Sequence, residues 1–296
     1  MKKLLTLTAL MLATPIITQP ALAAKLGPLP KDVTYSSDGT FDSPNIFFNN
    51  PTDTIQIFGQ TQLGNESTYE ARIYFPKNVG AGGLVFNEHK YGLEDKVLRA
   101  GPNTLFGYNF PINPGIPFTA TRTPLPDTWH HIAFVQGGGT QRLYFDGQIV
   151  GSQTFAGNIQ NSNGGATLGA RIRGNENLFL APSFIGHLDT LRISNVARYT
   201  GSSFDAPTGD LSSDTNTLML YNFNLEDYFQ QDGFTWVSDL SNNGRNGRFS
   251  TGFASATSPS VVVPVEQKKV PEPSSILGLF ALGGLGVSSL LKRKSQ

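Results

Sequence analysis

The side chains best suited to chemistry in this sequence are four histidines, two adjacent carboxylate pairs and one Asp-rich loop. The histidines are His89, His130, His131 and His187. Neighbours on a strand point to opposite faces, so His130 and His131 cannot converge on one metal without a bulge. Both read as polar strand residues hydrogen-bonded within the fold. Cleaving a glycosidic bond with retention needs two carboxyl groups about 5 Å apart, one of them protonated. Glu94-Asp95 and Glu226-Asp227 would diverge on a strand, and both pairs sit among turn-forming residues. Gly-x-Ser-x-Gly, phosphate-loop and His-Glu-x-x-His patterns are absent from the sequence. The loop Asp239-Leu-Ser-Asn-Asn-Gly244 starts as an EF-hand loop does, but its twelfth position is Ser250 rather than a bidentate Glu. An Asx-turn is the expectation there.

Composition narrows the field further. With no cysteine, the 296-residue chain has no disulfides, no Cys-ligated zinc, no iron–sulfur cluster and no thiol nucleophile. Lys plus Arg and Asp plus Glu both number 22, a balance that argues against nucleic-acid binding. Most of the 21 Phe, 9 Tyr and 2 Trp must be core, but Tyr91, Tyr108, Phe110 and Trp236 lie in loop-rich sequence and are candidates for an exposed platform.

Any such site must be held by strands. Only 15% of residues are charged, and 32 Gly and 19 Pro punctuate short β-forming runs with no helical period longer than two turns. Strands are expected at 69–75, 84–87, 104–110, 129–135, 141–145, 149–155, 167–170, 185–194 and 217–223. The fold class is therefore all-β, an antiparallel sandwich or barrel. Asp146-Gly147, between 141–145 and 149–155, supplies the two positive-φ residues of a type I′ hairpin turn. A domain of this size buries enough surface to stand without disulfides.

Four segments carry a family pattern in order: Thr128-Trp129-His130-His131-Ile132-Ala133-Phe134-Val135, Leu143-Tyr-Phe-Asp-Gly147, Gly186-His-Leu-Asp-Thr-Leu-Arg-Ile-Ser-Asn195 with its continuation to Tyr199, and Leu218-Met-Leu-Tyr-Asn-Phe223. Thr68-Tyr69-Glu70-Ala71 matches an earlier strand. Together they resemble the LamG-like jelly rolls of the concanavalin A-like lectin/glucanase superfamily. The resemblance implies two curved antiparallel sheets face to face, a concave surface for glycans or proteins and, in most members, no catalysis. Catalytic members carry Glu-x-Asp-x-Glu or Glu-x-Asp-x-x-Glu on one strand, and neither string occurs here. The resemblance also makes Asp189 a candidate ligand for a structural calcium ion, with a hydrogen bond to a turn amide or an Arg as the equal alternative.

The two ends read as transport signals. Met1-Lys2-Lys3, an apolar run and Ala21-Leu22-Ala23 form a signal peptide over 1–23, with the mature chain starting at Ala24. Residues 24–253 are the jelly-roll domain and 254–269, rich in Ser, Thr, Val and Pro, a linker. In 270–296, Pro271, Glu272 and Pro273 precede an uncharged stretch and Lys292-Arg293-Lys294. As a helix, residues 274–291 would reach about 27 Å, enough to cross a thin bilayer with the basic cluster cytoplasmic. This arrangement resembles the PEP-CTERM sorting tail, which implies an exosortase partner, a membrane-anchored precursor and a destination at the surface or matrix of a Gram-negative-type bacterium. Setting both ends aside leaves 15 basic and 20 acidic side chains in residues 24–258, a mildly acidic domain.

The expectation is an exported, non-catalytic protein that binds extracellular carbohydrate or matrix partners. The alternatives are a structural surface or biofilm protein acting by protein contacts, and a divergent glycanase.

Overall fold

The computed structural model describes residues 33–36, 41–59, 63–77, 83–90, 93–101, 104–109, 125–154, 165–173, 177–179, 183–249 and 258–264. The signal-peptide segment, the C-terminal apolar stretch, Pro271, Glu272, Pro273, Tyr91 and Phe110 lie outside them, as do the side chains of His89, Glu94, Asp95 and Tyr108.

The chain opens with β1 (Val33–Ser36), β2 (Asn45–Phe48), β3 (Ile55–Ile57) and β4 (Ser67–Tyr74). It continues through β5 (Gly83–Lys90), β6 (Leu93–Gly101), β7 (Thr104–Asn109), β8 (Trp129–Gly137), β9 (Thr140–Phe145) and β10 (Gln148–Thr154). Then come β11 (Ala166–Leu168), β12 (Arg171–Arg173), β13 (Asn177–Phe179), β14 (Gly186–Ser194) and β15 (Thr217–Tyr221). A 3-10 turn (Leu225–Asp227) leads to β16 (Tyr228–Gln231), β17 (Phe234–Val237), β18 (Gly247–Phe249) and β19 (Ser260–Pro264).

Two sheets form the jelly-roll sandwich. A nine-stranded sheet runs β1-β19-β2-β14-β4-β8-β9-β10, with β15 also paired to β14, and an eight-stranded sheet runs β16-β17-β18-β3-β11-β5-β6-β7. Every pairing in them is antiparallel except β1 with β19. Alternation does the sorting. Tyr69, Ala71 and Ile73 of β4, Ile132 and Phe134 of β8, and Leu191 and Ile193 of β14 face inward against Phe86, Leu98, Ile55, Ile57 and Leu168 of the other sheet. Asp146 and Gly147 take φ of 48° and 73° in the expected hairpin turn. Gly147 has a second constraint, since an added Cβ would sit 2.1 Å from the carbonyl oxygen of Phe204.

All nine expected strands form, but the domain extends further. Ser260–Pro264, inside the span expected as linker, is β19 and pairs with both β1 and β2. Val261, Val262 and Val263 are buried, and a β-branched run of this kind favours a strand once a sheet edge is there to receive it. The segment between β14 and β15, residues 195–216, crosses the outer face of the nine-stranded sheet as a strap.

Candidate functional site

The two outer faces of the sandwich differ. Beneath the strap, Glu70, His131, Arg192 and Tyr199 meet. Arg192 and Glu70 are directly opposed on β14 and β4, and His131 stands diagonally across on β8. Arg192 Nε–H donates to Glu70 Oε1 at 2.8 Å, with its Nη2 at 2.7 Å, while His131 Nε2 and the Tyr199 hydroxyl reach Oε2 at 3.1 and 2.7 Å. Glu70 is fully buried. Burial alone would raise its pKa, but the His131 hydrogen bond and the Arg192 charge outweigh that and hold the carboxyl below its usual range.

The strap is pinned along its length. Thr68 Oγ1–H donates to the Val196 carbonyl at 2.7 Å and accepts from the Arg198 amide at 3.0 Å. Arg198 forks onto Asp214 at 2.8 and 2.7 Å, and the Tyr144 hydroxyl donates to the Gly201 carbonyl at 2.7 Å. The Tyr199 and Phe204 rings stack at 3.6 Å over Ala133, Val135 and Tyr144. Further along the same face, Phe47, His187, Tyr74 and Trp129 stand opposite one another on β2, β14, β4 and β8. Phe41 packs on three of these rings, and Tyr74 and His187 are buried. The strap covers its part of this face, and Phe41, Phe47 and Trp129 remain half-buried.

The outer face of the eight-stranded sheet is open at one end. Register places Phe229, Trp236, Arg248 and Gln56 side by side across β16, β17, β18 and β3. Phe234 lies two residues from Trp236 on that face, and Phe58 lies two residues beyond Gln56. Phe58 is 43% exposed, and Phe229, Phe234, Trp236, Arg248 and Gln56 are half-buried. The Arg248 guanidinium carbon is 5.0 Å from the Phe58 ring centre and 4.7 Å from that of Phe234, and Nη2–H donates to Gln56 Oε1 at 2.8 Å. Trp236 lies 5.8 Å from Phe58 and 6.2 Å from Phe229, its indole N–H donating to the Gln231 carbonyl at 3.1 Å. The rings form a shelf with hydrogen-bonding groups beside it, which suits the apolar faces and hydroxyls of sugars.

Of the residues singled out by sequence, Trp236 is on this shelf. Phe58, Phe229, Phe234 and Arg248 were not singled out. The signal for two of them was present: Asp232-Gly233, with φ of 52° and 79°, is the same hairpin turn as Asp146-Gly147, with Phe229, Phe234 and Trp236 alternating on its arms.

The histidines whose side chains are described, His130, His131 and His187, are bound into the sheet. His130 Nδ1 pairs with Asp146 Oδ2 at 2.8 Å, and His187 Nδ1 with Asn45 Oδ1 at 2.8 Å. Asp189 is buried, and both its oxygens are engaged, Oδ2 accepting from Arg72 Nη1 and Oδ1 from Ser43 Oγ, each at 2.7 Å. A carboxylate already neutralised by a guanidinium does not fit a calcium ligand, because the Arg72 charge would oppose the ion. Among the described residues no cluster of three acidic, His or Cys side chains converges on a metal-sized space. At the EF-hand-like loop, Asp239 Oδ1 accepts from the Leu220 and Ser241 amides and Oδ2 from the Arg245 amide, each at 3.0 Å, an Asx-turn tied into β15.

Glu226 and Asp227 lie in the 3-10 turn. Burial pushes the Asp227 carboxyl up to about 6, helped by Glu226 and Asp210, although it accepts the Asn224 amide. Its proton therefore stabilises the fold fully below pH 3.8, and that contribution is lost as pH rises through about 6. Asp227→Asn keeps the acceptor and removes the charge. The variant is expected to match the parent at pH 4 and to exceed it at pH 7.5 by about 1 kcal/mol, the full shift discounted for solvent screening. Chemical denaturation at the two pH values measures this, and equal gains at both would refute it.

A family model of the concanavalin A-like lectin/glucanases superfamily matches residues 49–200, and one of the PEP-CTERM protein-sorting motif matches 269–294. The latter marks a secreted, membrane-anchored precursor and implies processing by an exosortase. Among solved structures, the fold is similar to that of a candidate carbohydrate-binding protein from Bacteroides ovatus, with a TM-score of 0.55 at 15% identity. That alignment covers 76% of this chain and 60% of the other, so this chain spans under two thirds of that protein's length. The native heptameric SAP-like pentraxin of Limulus polyphemus aligns with a TM-score of 0.43 at 18% identity, over 53% of this chain and 78% of the pentraxin. Domains LG4-5 of the mouse laminin alpha1 chain align at 0.41 and 15%, over 57% and 48%. No curated protein matches the chain.

Proposed function

The chain belongs to the concanavalin A-like lectin/glucanases superfamily, and on that premise we propose that it is an exported, non-catalytic protein that binds extracellular polysaccharide through the aromatic shelf of its eight-stranded sheet. The observation that carries this is the contrast between the two outer faces. Under the strap the nine-stranded sheet is closed, whereas the end of the other presents exposed Phe58 beside half-buried Phe229, Trp236 and Arg248 in one row, with half-buried Phe234 next to them. Aromatic side chains left at the surface in a group mark a binding surface more often than chance exposure.

The non-catalytic part is supported by the pairing of three buried acids on the long strands. Glu70 is held by Arg192, Glu88 by Lys96 at 2.7 Å and Asp189 by Arg72. A carboxylate so paired is a poor general acid. The exosortase-type partner and the PEP-CTERM tail would bring the domain to the cell surface or matrix.

A glycan array probed with the full chain in detergent, beside Trp236→Ala and Phe58→Ala, tests the reading. Loss of one stacking ring is expected to weaken binding by roughly 10-fold or more, taking about 1–3 kcal/mol per stacked ring. Binding unchanged in both variants would move the site elsewhere. Absence of any glycan binding would favour the structural role through protein contacts, and release of oligosaccharides from soluble polysaccharide would favour the glycanase.

A further inference from the structure

We propose that this shelf selects anionic glycans, with Arg248 as the contact for a carboxylate or sulfate group on the sugar chain. The inference rests on the reading of the shelf as the carbohydrate site and names its substrate class.

Arg248 is the single charged side chain in the row, whose other members are Phe229, Trp236 and Gln56, with Phe58, Phe234 and Gln231 beside them. The guanidinium lies between two aromatic rings, at 5.0 Å from Phe58 and 4.7 Å from Phe234, and Gln56 Oε1 fixes one of its nitrogens at 2.8 Å. Rings on both sides strip water from the cation. Its pKa is lowered by burial, yet an arginine remains charged at any physiological pH.

A planar, weakly hydrated guanidinium oriented by Gln56 binds a carboxylate or a sulfate through charge-assisted hydrogen bonds, which are stronger than bonds to neutral acceptors. Partial exclusion of water makes that charge pair stronger than it would be on an open surface. A neutral sugar could stack on Trp236 and Phe58 but would offer Arg248 a neutral acceptor in place of a charged one. The exposed part of the row crosses four strands, about 14 Å at the usual strand spacing of roughly 4.8 Å. A few sugar rings fit over that length, so stacking and the ionic contact can act on one chain together.

The surrounding domain does not supply this selectivity. Residues 24–258 carry an excess of five acidic side chains, which repels polyanions at long range. The attraction is therefore local to Arg248, and removing that one charge should abolish the preference.

The test compares matched glycans: polygalacturonate against its fully methyl-esterified form, and a sulfated galactan against its desulfated form. The full chain in detergent is titrated with each, beside Arg248→Gln, Arg248→Lys and Trp236→Ala, with melting curves confirming that each variant is folded. The parent should bind at least one acidic member about 10- to 100-fold tighter than its neutral partner, as expected for a charge-assisted pair. Arg248→Gln should erase that ratio while retaining neutral-glycan binding, Arg248→Lys should keep part of it, and Trp236→Ala should weaken both members. The two pairs separate carboxylate from sulfate. Equal affinity within both pairs, or a preference that survives Arg248→Gln, overturns the anionic selectivity and leaves carbohydrate binding standing. Absence of binding to all members, and to the wider array, overturns the underlying reading as well.

Discussion

Glu70→Ala is expected to destabilise the domain by about 3–5 kcal/mol, the cost of removing one member of a buried ionic group and leaving the others uncompensated. Arg192 would then face a fully buried space with its counter-charge gone, and His131 and Tyr199 would each lose a hydrogen-bond acceptor. At roughly 2–4 °C per kcal/mol for a domain of this size, the melting temperature should fall by about 10 °C. Glu66→Ala is the comparison, because the Glu66 carboxylate makes a longer contact, 3.3 Å to the Ala197 amide. A Glu70→Ala protein melting within about 1 kcal/mol of the parent would show that the carboxylate does not hold the strap to the sheet. Since burial and its cationic partners leave the Glu70 pKa lowered, its contribution persists above the unfolded-state carboxylate pKa and is lost as pH falls through the folded value. Acidification should therefore destabilise the parent more than the variant.

The second large effect concerns β19. A chain ending at residue 253 lacks Val261, Val262 and Val263, all buried. At about 1.5–3 kcal/mol per buried side chain, that loss is comparable with the whole stability of an ordinary domain, roughly 5–15 kcal/mol. It also strands β1, whose pairing is with β19, and leaves one edge of β2 open to pair with other chains. The shortened protein is expected to aggregate, whereas one ending at residue 266 should elute as a soluble species in size-exclusion chromatography. Soluble, cooperatively melting protein from the shorter chain would show that β19 is dispensable.

These two features were the least legible in the sequence. The long inner strands could be read because Tyr69, Ala71 and Ile73, or Ile132 and Phe134, alternate over enough residues to show a period. β3 and β18 have three residues each, too few to show one. β19 sits among Ser, Pro and Thr, whose composition alone suggests a linker, and three valines become a strand through the edges waiting on either side. Glu70 carries no local mark of burial. Its environment comes from Arg192, 122 positions away, and from a strap that nothing in the β4 sequence announces. The shelf was half visible: Trp236 stood out as an aromatic in loop-rich sequence, but Arg248 and Phe58 join it only through the β17–β18–β3 register.

The position of β19 governs how the protein would carry load. Its neighbours are β1 on one side, joined from Val33 against Val261 to Ser36 against Pro264, and β2 on the other, joined at Ser260, Val261 and Val262. The sorting motif at 269–294 follows β19 in sequence, so a pull on a tethered tail would reach the domain through this strand. A force along the strand axis would shear both ladders at once rather than peel their hydrogen bonds apart one by one. A polysaccharide drawn across the opposite sheet in flowing water would therefore tug against the part of the sandwich least prone to unzip.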